Sequence, residues 1–82
     1  MKREEIKAKI NEFLIDELEV EESKLDTSSD LKKDLGIDSL DFVDIAVIIE
    51  KSFGIKIKGE EMVGMKTLGD FYDFIIERVG SD

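Results

Sequence analysis

The 82-residue chain has no cysteine, no histidine, no proline and no tryptophan. Without cysteine, neither a disulfide nor a thiolate metal site can staple the fold, and any thiol the protein uses must come from elsewhere. Without histidine it lacks the commonest general base and the commonest metal ligand. Carboxylates, lysines, hydroxyls and one tyrosine remain, an inventory that argues against a self-sufficient enzyme. No apolar run reaches the ~20 residues of a membrane span. The opening Met1-Lys2-Arg3-Glu4-Glu5 leads into an amphipathic pattern without a secretory apolar core. A cytoplasmic protein is expected.

Negative charge is what the chain has in excess: 21 acidic side chains face 12 basic ones, for a net charge of −9. Such a surface repels nucleic acid and anionic membranes and attracts basic protein surfaces. The length predicts one small domain over residues 1–82, expected to be a monomer. A chain of this size buries only roughly 60–65% of its unfolded surface. Its stability must therefore come from helix packing.

Ile6, Ile10, Phe13, Leu14 and Leu18 recur at three- and four-residue spacing, which predicts a first helix over residues 2–18. Residues 19–37 hold isolated apolar side chains amid polar ones. They read as a long loop pinned by its leucines, with one short helical turn near Leu31–Asp34. A loop of that length in a small domain is functional or marks a misread element. A second helix follows, capped by Asp38 or Ser39, running to about Ser52 and closed by Phe53-Gly54. Ile55-Lys56-Ile57-Lys58 alternates but has no partner strand, so it reads as an extended loop with two buried isoleucines. Glu60–Val63 predicts one short turn. Thr67, with Asp70 three residues on, starts a last helix carrying Leu68, Phe71, Tyr72, Ile75, Ile76 and Val79 and ended by Gly80. The fold class is all-α: three main helices plus one short helix in a four-helix, up-and-down-like bundle, with a long loop between helices 1 and 2.

The second helix has more apolar surface than one core-facing stripe needs. Phe42, Ala46, Ile49 and Phe53 form one stripe; Leu40, Val43 and Val47 form another, turned away by roughly a third of a turn or more. The second stripe lies next to Ser39 and among Asp38, Asp41 and Asp44. An apolar patch rimmed by acids suits docking to a basic partner. Plainer readings stand beside this one: Ser39 as a helix cap, the aspartates as a solvated face, the stripe as core. Asp30, Asp34 and Asp38 recur every four residues but lack the spacing, glycine and glutamate of a calcium loop.

Asp38-Ser39-Leu40 is similar to the signature of acyl carrier proteins, and the likeness extends along nearly the whole chain. Leu35-Gly36 before it, Asp41 and Val43-Asp44-Ile45 after it, Phe53-Gly54-Ile55 and the Thr-capped last helix occur in the same order and at similar spacing. The resemblance implies a carrier rather than an enzyme. Ser39 would take 4′-phosphopantetheine from coenzyme A through a phosphopantetheinyl transferase, with Asp38 tied to placing Mg²⁺ during that step. Acyl groups would ride on the terminal thiol and be presented to loading, elongating and transferring enzymes with basic docking patches. Leu40, Asp41, Val43, Asp44, Val47 and Glu50 would form the docking face. Phe42, Ile45, Ala46, Ile49, Ile57, Met62 and Phe71 are candidates for an acyl cavity.

The chain departs from the family pattern in places. Lys58-Gly59 stands where a proline often follows the Ile-x-Ile segment, and Lys51, Lys56 and Lys58 make the end of helix 2 basic. These departures bear on which partner docks, and on a fatty-acid role more than on carriage itself. A D-alanyl or aminoacyl carrier is the alternative within the class, although Asp-Ser-Leu leans towards an acyl cargo. An unmodified helical interaction module and a carboxylate-based enzyme are the alternatives outside it.

Overall fold

A computed structural model describes residues 2–80. The order is α1 (Arg3–Leu18), a 3₁₀ turn (Glu22–Lys24), α2 (Ser39–Phe53), a second 3₁₀ turn (Gly59–Met62) and α3 (Leu68–Val79). Among the described residues, three α-helices rather than four make the bundle. The short fourth element is a single 3₁₀ turn, because Gly59-Glu60-Glu61-Met62 gives one apolar anchor, the fully buried Met62, and no second turn to bury. Among the described residues there is no strand, only an isolated bridge between Asp30 and Thr67.

The apolar spacing of α1 puts Ile6, Ile10, Phe13 and Leu14 in the core. The helix ends where Glu19 turns into the left-handed region (φ 57°), and the Val20 amide donates back to the Leu14 carbonyl at 3.0 Å. Val20, just past that turn, is buried in the core. On α3, Thr67 accepts from the Asp70 amide (3.2 Å) and Asp70 accepts from the Thr67 amide (3.2 Å), so the predicted capping box forms. The helix then buries Leu68, Phe71, Tyr72, Ile75 and Ile76. Phe71 meets Phe13 edge-on, ring centroids 6.4 Å apart, and ties α3 to α1. The Tyr72 hydroxyl donates to Asn11 Oδ1, which satisfies the polar tip of a ring otherwise sunk in the core. That burial pushes the phenol above its ordinary 10.0.

The long segment between α1 and α2 is held down by backbone bonds. The amides of Leu31, Leu68 and Gly69 donate to the carbonyls of Lys66, Ser29 and Thr27, at 2.8, 2.9 and 2.9 Å, which stitch the segment to the start of α3. Asp30 Oδ1 accepts from the Lys32 and Lys33 amides (2.9 and 2.8 Å), and Asp34 Oδ2 accepts from the Asp30 amide at 2.7 Å. The turn expected near Leu31–Asp34 is there, closed by the Asp34 and Leu35 amides on the Asp30 carbonyl. The 3₁₀ turn at Glu22–Lys24 has no apolar signal and was not expected. Beyond α2, Ile57 is buried but Ile55 is only half-buried. The expected pair of buried isoleucines is therefore a single one: Ile55 directly follows Gly54, the C-cap of α2, and packs at the edge of the core, while Ile57 enters it. Gly59 sits against the α2 backbone: a Cβ there would lie 3.2 Å from the Val43 nitrogen and 3.3 Å from the Phe42 carbonyl. The missing side chain at Gly59 thus lets the 3₁₀ turn close on α2.

Candidate functional site

Ser39 is the first residue of α2 and Asp38 its N-cap. Asp38 Oδ1 accepts from the amides of Leu40 (2.9 Å) and Asp41 (3.2 Å), and Asp41 Oδ2 accepts from the Asp38 amide (3.0 Å). The expectation left the cap open between Asp38 and Ser39; the structure gives it to Asp38, with Asp41 completing a capping box. Ser39 is therefore relieved of the capping role. It is exposed, and its hydroxyl joins none of the side-chain hydrogen bonds among the described residues.

The approach to the helix fixes that position. Gly36 has φ 70°, a left-handed angle that a side chain at this point would resist. The bend sends Ile37 into the core, where its amide donates to the Leu31 carbonyl at 2.8 Å. With Ile37 anchored one side and Phe42 buried on the other, Asp38, Ser39 and Leu40 form an exposed knuckle between two fixed points.

Around the helix the two stripes separate as expected. Phe42, Ile45, Ala46 and Ile49 are buried; Leu40, Val43 and Val47 are 78%, 60% and 48% exposed. Phe53, placed in the first stripe, is only half-buried, and Lys9 lies over its ring at 5.6 Å. The exposed apolar side chains share their surface with the exposed Asp44 and Glu50 and the half-buried Asp41. The region has the composition of a docking patch, apolar within and acidic at the rim.

A cleft of about 530 Å³ opens beside Ser39. Ile37, Leu31, Phe42, Val63 and Met65 supply its apolar walls, and Lys32, Lys33 and Lys66 its cations. Of the seven residues expected to line a cavity, only Phe42 reaches this cleft. Ile45, Ala46, Ile49, Ile57, Met62 and Phe71 are packed in the core. The sequence reading missed the cleft because its walls come from three separate stretches that meet only through the bonds between the loop and α3. Half-exposed Met65 and exposed Val63 were the available signals, being apolar residues that belong to no helix periodicity.

The site can take a covalent anionic group. Two of the free amides at the start of α2 already serve Asp38, but the Ser39 amide has no protein acceptor among the described residues. A phosphodiester on Ser39 Oγ would have that donor and the positive end of the helix dipole beside it. The cleft offers an elongated substituent somewhere to lie. Phosphopantetheine fits these features: one accessible hydroxyl, an amide for its phosphate and an adjoining channel.

Residues 8–75 match the sequence profile of a family described as Phosphopantetheine attachment site. The chain is 36% identical over 78 residues to an acyl carrier protein of Thermotoga maritima, covering 95% of this chain and 96% of the relative. It is 40% identical over 75 residues to one of Coprothermobacter proteolyticus, covering 92% of each. One of Rubrobacter xylanophilus is 38% identical over 77 residues, covering 94% of this chain and 95% of the relative. With the profile spanning most of the chain and the relatives matching it nearly end to end, the protein belongs to the acyl carrier protein family, a carrier of acyl groups whose cofactor is phosphopantetheine and not itself an enzyme.

Proposed function

We propose that Ser39 is the attachment point, and that the protein carries acyl intermediates as thioesters for fatty-acid synthesis or a related polyketide-like or secondary-lipid pathway. The observation that carries this reading is the division of labour at the start of α2: Asp38 caps the helix, so Ser39 has no structural duty and presents its hydroxyl to solvent. The arm supplies a thiol to a chain that has none. Asp38 and Asp41 hold the helix end rigid, so the Ser39 hydroxyl keeps one position for an incoming transferase. Leu40, Val43 and Val47 form the apolar centre of the docking face, and Asp41, Asp44 and Glu50 its acidic rim. Opposite charge on a partner speeds encounter without requiring tight binding, which suits a protein that visits several enzymes in turn. Lys51, Lys56 and Lys58 put a basic end on this face and favour partners with a matching acidic contact. The chain acts as one domain, since a single apolar core links α1, α2 and α3.

Intact mass after incubation with coenzyme A, Mg²⁺ and a phosphopantetheinyl transferase tests the reading. The expected result is a gain of one phosphopantetheine group, absent in Ser39→Ala. In the same assay Leu40→Ala should raise the transferase KM several-fold at an unchanged melting temperature. No gain, with a transferase active on another carrier, would move the protein to an unmodified interaction module.

A further inference from the structure

The apolar residues that suit the wall of an acyl cavity are enclosed in the core. Ile45, Ile49 and Met62 are wholly buried, and Ala46, Ile57 and Phe71 nearly so. Two cavities among the described residues lie at the surface instead: the cleft beside Ser39, and a groove of about 450 Å³ between α1 and α2 that Phe13 and Ile48 line. Core side chains packed at crystal-like density leave an aliphatic chain no room unless one of them moves.

Phe42 stands where a chain coming from Ser39 would have to pass. It follows Ser39 by almost one turn of α2, and it both belongs to the core cluster and lines the cleft. Leu31 and Ile37 share that double position, but backbone bonds pin them: the Ile37 amide donates to Leu31, and the Leu31 amide to Lys66. Behind Phe42 on the buried stripe of α2 come Ala46 and Ile49. Helical side chains lean toward the N-terminus, so Phe42 projects toward the Ser39 end, and Ala46 puts the least bulk directly behind it. Met62, from the 3₁₀ turn packed on α2, is an unbranched side chain that repacks readily. The weak places in the packing therefore lie behind Phe42, and Gly59, set against the Phe42 carbonyl, keeps the backbone there from swinging away.

We propose that Phe42 bars the core to the cargo, so that an aliphatic acyl group on this carrier stays outside the core whatever its length. The proposal rests on the reading of Ser39 as the attachment point. Phe42 is then a selectivity residue as well as a core residue. A cargo kept outside stays open to each docked enzyme, and its length has no bearing on the stability of the domain.

The test loads the full chain with the bare arm, with an arm bearing a hexanoyl group and with one bearing a decanoyl group. The acyl groups are amide-linked so that they survive the measurement, and intact mass confirms each load. The wild-type protein is expected to melt at the same temperature in every loaded form, with the Ile45, Ile49 and Phe71 amide resonances unmoved between them. Phe42→Ala lowers the melting temperature of the unloaded protein, as any core truncation does, so the readout is the dependence on chain length. In that variant the decanoyl form should melt at least about 5 °C above the hexanoyl form, because the added methylenes leave water, and the same core resonances should shift. Phe42→Val gives the same comparison where the alanine variant does not fold. Phe71→Leu, trimmed in the core away from the cleft, should stay indifferent to length. A wild-type melting temperature that climbs with chain length while the core amides move overturns the proposal. A Phe42 variant as indifferent to length as the wild type overturns it too, and so does length dependence in Phe71→Leu, since the core as a whole would then be the barrier. A failure to load, seen by mass, overturns the Ser39 reading and this proposal together; a loaded wild-type protein that takes the chain into its core overturns this one alone.

Discussion

Glu19 is the non-glycine residue with a positive φ among the described residues, at 57°. It occupies the position where helices commonly end on glycine. A side chain held in the left-handed region costs on the order of 1 kcal/mol, part of which glycine returns as lost chain entropy. Glu19→Gly should therefore stabilise the protein by up to about 0.5 kcal/mol, read as a higher urea midpoint at unchanged slope. A lower midpoint would show that the Glu19 side chain contributes something the geometry does not reveal. The same residue marks a limit of sequence reading. The end of α1 was legible from the last apolar contact at Leu18, but not its mechanism, because glutamate carries no stop signal. Gly36, with φ 70°, shows the ordinary case, a left-handed angle taken by glycine.

At the scale of elements, α2 is defined by its first residue outward. Asp38 supplies the two hydrogen bonds that begin the helix, and Asp41 returns one. Asp38→Ala should cost the unmodified protein about 1 kcal/mol, a fall of roughly 4–8 °C in melting temperature for a domain of this size. Thermal unfolding followed by circular dichroism would check it; an unchanged transition would return the capping role to Ser39. The three helices were legible because each repeats its apolar residues at helical spacing over three turns or more. The division of α2 into a buried and an exposed stripe was legible for the same reason. The cleft was not. Its walls, Leu31, Ile37, Phe42, Val63 and Met65, lie in segments with no shared periodicity, and only backbone bonds such as Leu31 to Lys66 unite them. Local pattern cannot report a surface made by non-local closure.

At the scale of the whole molecule, charge and burial set the response to pH. The Asp26 carboxylate is held below its ordinary 3.8 chiefly by the Ser28 amide, Asp30 by the Lys33 amide and Asp70 by the Thr67 amide; Glu61 is held below 4.5 by the Lys58 amide and then by Arg78. A carboxyl with a lowered folded pKa stabilises the fold above its unfolded value, and that stability is lost as pH falls through the folded value. Melting temperature should therefore drop below about pH 4. Tyr72 has the opposite sense. Its raised phenol stabilises the fold below its ordinary 10.0, and that contribution fades as pH rises beyond it, so Tyr72→Phe should reduce the alkaline loss. Melting curves from acid to alkali on both proteins would check both limits; a transition unmoved in acid would show that the amide-bonded carboxylates contribute nothing to the fold. The knuckle at Ser39 has one more consequence. Pinned between buried Ile37 and buried Phe42, it makes a stiff pivot, so a tether fixed there inherits no slack from the protein. For the arm proposed on Ser39, an enzyme that grips the pivot would search only a half-sphere of one tether's radius, in which a single thiol is at millimolar concentration or above.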